Sequence, residues 1–69
     1  MNATKRAQEK IAAVEALQKW MVATGSNAEA TARRLNVTDS TIYNWTNGDT
    51  LPTGEGLRAL KRLVRSYLG

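Results

Sequence analysis

The chain lacks the side chains on which much of enzymatic and metal chemistry depends. Its 69 residues contain no cysteine and no histidine. Without cysteine there can be no disulfides, iron–sulfur clusters or thiolate zinc sites. Without histidine the commonest general base and metal ligand is missing, together with every Ser–His or Cys–His nucleophile. We therefore expect a binding protein that is not an enzyme and that uses neither a cofactor nor a metal ion.

Long apolar runs are absent as well. No run approaches the roughly 18 residues that span a bilayer. Charged residues, among them Glu9, Lys10 and Glu15, interrupt the segment that a signal peptide would need to be apolar. We expect a cytoplasmic protein with no membrane partner. The length predicts a single domain over residues 1–69 with a small core, since a chain of this size buries only about 60% of its unfolded surface.

The first half of the chain has helical periodicity. From Lys5 to Thr24, apolar residues recur at spacings of three and four. They are Ala7, Ile11, Val14, Leu17 and Met21, with Ala13 and Trp20 beside them. Gly25 is placed to end this helix, and Ser26 is placed to cap a second helix that reaches Leu35, because Ser26 and Glu29 have capping-box spacing.

Two further helices are predicted in the second half. Asn36 tolerates the left-handed conformation and marks a turn. Thr38 caps a third helix that ends near Asn47, before Gly48. Thr53 opens a fourth helix with an apolar and a basic face. The apolar face carries Leu57, Leu60, Leu63, Val64, Tyr67 and Leu68, and the basic face carries Arg58, Lys61, Arg62 and Arg65. The predicted fold is all-α, a compact bundle of four to five short helices.

Residues 27–47 have the pattern of a helix-turn-helix unit, in which two short helices cross steeply around a tight turn. Ala32 is the small residue at the crossing, and Asn36 is the turn residue. Ile42 and Trp45, three residues apart, are the predicted buried positions of the second helix. At that spacing Trp45 is a core residue rather than an aromatic that stacks on bases.

The segment ARRLNVTDSTIYNWTNG, which begins at Ala32, together with the following LPT at 51–53, resembles the phage-repressor/Cro class of helix-turn-helix proteins, also called Xre-like or lambda-repressor-like. The resemblance implies a sequence-specific transcriptional regulator of double-stranded DNA, a small phage or mobile-element repressor of the Cro type. It also implies a homodimer on a palindromic operator, with the helix 38–47 in the major groove. No small-molecule effector is expected.

Carried over by position, the resemblance divides the contacts into two sets. The predicted base contacts are Asp39, Ser40, Tyr43 and Asn44. The predicted phosphate contacts are Asn27, Thr41 and Asn47. Arg33 and Arg34 are added as phosphate contacts because their positive charge would steer the segment to DNA. Asn44 suits adenine N6 and N7, and Asp39 suits cytosine N4, because their polar atoms match the edges of those bases. Backbone amides around residues 47–48 are expected to bind phosphate as well.

Some positions depart from the class, and other interpretations remain. Ala28 stands where Gln is usual, and Thr31 stands where a buried Leu is usual, which predicts looser packing. Asp39 can act as a helix-dipole partner instead of a base contact. The outer face of the helix 38–47 can be a solvated surface. The alternative function is a protein-interaction module of helix-turn-helix shape, such as an antitoxin or an adaptor, without specific DNA binding.

The net charge of +4 is unevenly distributed. Residues 1–26 carry four basic and two acidic side chains, residues 27–50 carry two and three, and residues 51–69 carry four and one. The predicted DNA-reading segment is therefore slightly acidic, at −1. This favours recognition through neutral hydrogen-bonding groups over recognition through charge, whose contribution grows with the number of phosphates neutralised.

Overall fold

The computed structural model describes residues 3–68, and within that range the chain is all-α. Its elements are α1 (Ala3–Thr24), α2 (Ala28–Leu35), α3 (Asp39–Asn47), α4 (Gly54–Leu63) and a final 3-10 turn (Arg65–Tyr67). The predicted class, a bundle of four to five short helices, is confirmed. None of the described helices combines the length and apolar character needed to cross a membrane.

The turn between α2 and α3 forms as its residue types predict. Asn36 adopts the left-handed conformation with φ of +59° and ends α2. Val37 donates its N–H to the Ala32 carbonyl at 3.0 Å. Thr38 is the N-cap of α3, because its hydroxyl oxygen accepts the Thr41 N–H at 3.2 Å. These bonds satisfy backbone N–H and C=O groups that would otherwise lack partners at the helix ends. Three residues therefore suffice to connect the two helices.

The cap of α2 differs from the sequence prediction. Asn27, not Ser26, is the N-cap, and its Oδ1 accepts the Ala30 N–H at 2.8 Å. The Ser26 hydroxyl instead lies 2.9 Å from the Thr24 hydroxyl. The prediction was wrong by one residue, because Ser and Asn are both strong caps and sequence spacing does not decide between neighbours.

The core is a single cluster contributed by all four helices. Its central side chains are Leu17, Ile42, Leu60 and Val64, each at most 1% exposed, and Trp45 is 5% exposed. Thr31 is also fully buried, and its hydroxyl donates to the Asn27 carbonyl at 2.7 Å. The hydroxyl of this buried Thr is therefore satisfied, as buried polar groups in folded proteins usually are.

The buried side of α1 agrees with the predicted one at most positions. Of the seven predicted residues, four are buried, namely Ala13, Val14, Leu17 and Trp20, and Ala7 and Met21 are half-buried. Ile11 is the exception, since it is 46% exposed, and Ala16 is buried although it was not predicted. The periodicity therefore identified the helix and most of its buried side.

The fourth helix is shorter than its pattern predicts. Helix α4 ends at Leu63, and a 3-10 turn follows Val64. Leu60 and Val64 are fully buried and Leu57 and Leu63 half-buried, but Tyr67 and Leu68 remain 38% and 41% exposed. Part of the predicted apolar face therefore lies on the surface.

Helices α3 and α4 share neighbours but present separate outer surfaces. Each packs on both α1 and α2. Ile42 and Trp45 of α3 and Leu60 of α4 enter the same core. The exposed residues of each helix therefore lie on the outer side of a helix that is held by this shared core.

Candidate functional site

The exposed side of α3 is a continuous polar surface, which we call the α3 outer face and define by residues 39, 40, 43, 44 and 47. All five side chains are exposed, and Tyr43 is 56% exposed. They lie opposite Ile42 and Trp45, which hold the helix to the core. The face is rigidly placed because α3 is capped at both ends, by Thr38 and by Gly48 in the left-handed conformation.

Four predicted base contacts lie together on this face: Asp39, Ser40, Tyr43 and Asn44. Tyr43 and Asn44 project from the middle of α3, at positions where the helix backbone satisfies its own hydrogen bonds. Both side chains thus keep polar groups for a partner. The arrangement presents a hydroxyl, a phenol and a carboxamide within two helical turns, a set that suits the edges of base pairs.

Asp39 has a second role within the helix. Its Oδ1 accepts the Ser40 N–H at 2.9 Å, and it lies in the first turn of α3. A carboxylate there interacts favourably with the positive end of the helix dipole. The structure therefore supplies a sufficient local reason for Asp39 and leaves its contact with a base as a prediction.

Thr41, a predicted phosphate contact, is engaged at the cap. It is half-buried, and its hydroxyl lies 2.9 Å from the Thr38 hydroxyl. This pair leaves Thr41 less available than the exposed members of the face. Thr41 thus has a local role in the structure, which is to complete the N-terminal cap of α3.

Asn27 lies in a shallow depression where α1, α2 and α3 meet. The depression is also lined by Gln18, Met21 and Val22 of α1 and by Thr46 of α3. Since the Oδ1 of Asn27 caps α2, its amide nitrogen is the group left to contact a partner. Gln18 and Thr46 were missed by sequence reasoning, because only the packing of α1 against α3 brings them beside Asn27.

The backbone amides at the end of α3 are not available to bind phosphate, contrary to the sequence prediction. The N–H groups of Gly48 and Asp49 donate to the carbonyls of Trp45 and Asn44, at 3.2 and 2.9 Å. These amides are satisfied by the helix that they terminate and are not free to bind phosphate. The exposed Asn47 side chain is the remaining candidate for a phosphate contact at this end.

The two arginines of α2 lie away from α3. The Arg33 guanidinium is 3.8 Å from the Glu29 carboxylate, and that of Arg34 lies 5.8 Å from the centre of the Trp20 ring. Together they line a cleft with residues of α1 and of the α1–α2 connection, and none of its residues belongs to α3. The structure therefore does not group these predicted phosphate contacts with the α3 outer face.

Comparison of the chain with models of protein families, with curated proteins and with solved structures finds no match in any of the three. Its function must accordingly be argued from its own residues. Two features carry that argument: the exposed polar side of α3, and the tight turn that joins α3 to α2.

Proposed function

We propose that this protein is a sequence-specific double-stranded DNA-binding regulator, a small repressor of the phage or mobile-element type that acts by occupying a promoter. Residues 27–47 would act as a helix-turn-helix, with α3 entering the major groove. Such a repressor works in the cytoplasm, where phage and bacterial DNA are located. The single observation that carries the proposal is the exposed polar side of a short α3 that is capped at both ends and anchored by Ile42 and Trp45.

The chemistry of the α3 outer face fits direct readout. Asn44 can pair with adenine through both its donor and its acceptor, and Ser40 can donate to or accept from any base. Tyr43 can place its ring against a thymine methyl group or its hydroxyl on a phosphate. Asn27 and Asn47 would contact phosphates on either side and so set the register of the helix in the groove.

The charge of residues 27–50 supports recognition of bases through hydrogen bonds. Of its two arginines, Arg33 lies near Glu29. With a formal charge of −1 over residues 27–50, attraction to phosphates contributes little to binding by this segment. Discrimination between bases would therefore supply an unusually large share of the affinity for an operator.

A homodimer fits the surface of the bundle. Ile11, Tyr67 and Leu68 are large apolar side chains that are each 38–46% exposed. A small protein gains buried apolar surface by pairing, and a two-fold pair matches a palindromic site. We therefore propose that two copies bind one operator. Sedimentation of the protein alone and on DNA tests this, and a single copy on a full-length site would exclude the two-fold arrangement.

The decisive experiment is selection of bound sequences from random duplex DNA. We expect a defined consensus, with affinity well above that for unselected duplex at moderate salt. On the selected duplex, Asn44→Ala should cost about 1–3 kcal/mol and relax the preference at one base pair.

Asn47→Ala is the matched control, since it removes the same group one turn further along α3. It should weaken binding by a similar factor on all sequences, because a phosphate contact carries no base information. If selection yields no consensus, the proposed function is wrong, and the interaction-module interpretation takes its place.

A further inference from the structure

A second surface, which is positively charged, lies on α4 and the 3-10 turn. Arg58, Lys61, Arg62 and Arg65 recur at spacings of three and four and are all exposed, so they form one stripe along the outer side of this segment. We call these four residues the basic face. It covers about 10 Å along the helix axis, at about 1.5 Å per residue.

The basic face is not neutralised by acidic partners. Over residues 3–68 the ion pair within 4 Å is that of Arg33 with Glu29, on α2. Residues 51–69 contain a single carboxylate, Glu55, in the first turn of α4. On α1, by contrast, Glu9 and Glu15 alternate with the basic residues. Residues 51–69 therefore carry the highest net charge of the three segments, +3, against +2 for residues 1–26.

Arg34 extends the basic face onto α2. Arg34 and Arg62 line the same shallow groove, together with Leu35, Ala59 and Leu63. Arg34 of α2 and Arg62 of the basic face thus border the same groove. Only the packing of α2 on α4 brings Arg34 to it, since 28 positions separate Arg34 from Arg62 in the sequence.

Helix stability does not explain this set of residues. Lys61 and Arg62 lie in the last turn of α4, where cations favour the negative end of the dipole. Arg58 is a turn earlier, Arg65 lies beyond the helix, and Arg34 belongs to α2. A helix that lies on a membrane needs a free apolar side to insert. Here Leu60 and Val64 are fully buried in the core, which leaves the polar side of α4 for contact.

We propose that the basic face and Arg34 bind the phosphate backbone of duplex DNA, without regard to its sequence. Each exposed cation can contact a phosphate oxygen, and such contacts are the same on every sequence. The inference deepens the proposed function, because it names the surface that supplies electrostatic affinity, and it does not require α3 to read bases.

The test compares two variants of equal net charge. One carries Arg58→Gln, Lys61→Gln, Arg62→Gln and Arg65→Gln, and the other carries Lys5→Gln, Arg6→Gln, Lys10→Gln and Lys19→Gln on α1. Each removes four positive charges, from +4 to 0. Glutamine preserves helix propensity, and circular dichroism checks that both variants fold. Binding to a random-sequence duplex is measured over a range of salt concentrations.

For the basic-face variant we expect a loss of affinity of at least about tenfold at low salt, and a salt slope smaller by about 3, because each phosphate contact contributes about 0.9 to the slope. The α1 variant should change both quantities much less. Equal losses in the two variants would mean that net charge alone acts, and would overturn the proposal. The same conclusion follows if the basic-face variant binds as the unmodified protein does.

Failure of α3 to read sequence would show separately, as the absence of any selected consensus. It would leave the comparison of the two variants on random duplex unchanged.

Discussion

The outer sides of α3 and α4 expose different chemical groups, although the two helices are anchored in the same way. Each belongs to a short helix held by apolar side chains in the same core. The α3 outer face has hydroxyl, phenol and amide groups and one carboxylate, whereas the basic face carries four cations. Neutral hydrogen-bonding groups distinguish bases but attract DNA weakly, and cations attract DNA strongly but distinguish little.

The net charge of the chain does not indicate by itself which of its surfaces would bind DNA. A formal charge of +4 suggests nucleic acid, but the helix with the best groups for reading bases lies in the segment with a charge of −1. If both proposals hold, specificity and electrostatic affinity reside on separate surfaces of a chain of 69 residues. Variants in α3 and in the turn before it test this separation.

The largest effect is expected from the two aromatic residues of α3. Trp45 is 5% exposed and Tyr43 is 56% exposed. Trp45→Ala should lower the free energy of unfolding by about 3–5 kcal/mol, since it opens a large cavity beneath the helix. Tyr43→Ala should leave stability within about 0.5 kcal/mol and weaken DNA binding instead. Urea unfolding followed by circular dichroism measures the first quantity, and titration with duplex measures the second.

We expect Trp45→Ala to leave too little folded protein for binding assays, because a domain of this size has a small free energy of unfolding. Trp45→Phe is the milder variant, and it should keep the fold while lowering its stability. A loss of stability on Tyr43→Ala as large as that on Trp45→Phe would contradict the division of α3 into a core side and an outer face.

A smaller effect is expected at the turn that sets α3 against α2. Asn36 has φ of +59°. Asn36→Ala should destabilise the protein by about 1–2 kcal/mol, because a Cβ without a compensating polar group is disfavoured in the left-handed region. Asn36→Gly, the matched control, relieves that strain and should be close to neutral. Thermal unfolding of both variants tests this, and equal losses would show that the Asn36 side chain matters more than its backbone conformation.

The smallest change concerns the carboxylate on the α3 outer face. Asp39→Asn should cost about 0.3–1 kcal/mol of stability by weakening the dipole interaction at the start of α3. It should also raise affinity for random duplex a few-fold at low salt, since a negative charge near phosphates is removed. The gain should vanish at high salt. If affinity for the selected duplex falls instead, Asp39 reads a base.

Local chemistry made the turn predictable. Thr38, Gly48 and Asn36 were each identified from their own residue types, since a hydroxyl cap and left-handed positions depend on a few neighbouring atoms. The same reasoning failed by one residue at Ser26, where Asn27 is an equally good cap. Trp45 and Ile42 were correctly placed in the core because their spacing leaves one consistent buried side.

The candidate site was predictable where it lies on one helix. Ser40, Tyr43 and Asn44 share a face by helical geometry alone, so their exposure followed from the position of Ile42 and Trp45. Arg33 and Arg34 were predicted as phosphate contacts from their charge, and the structure places them beside residues of α1 and α4. Gln18 and Thr46 had no signal in the sequence.

The number of helices, most of their caps and the two sides of α3 follow from the residue pattern, because these features depend on backbone hydrogen bonds and on a period of about 3.6 residues. The exposure of Ile11, the end of α4 at Leu63 and the position of Arg34 beside Arg62 depend on tertiary packing. Those outcomes depend on how closely helices approach and how their side chains fill shared space, which periodicity within one helix does not encode.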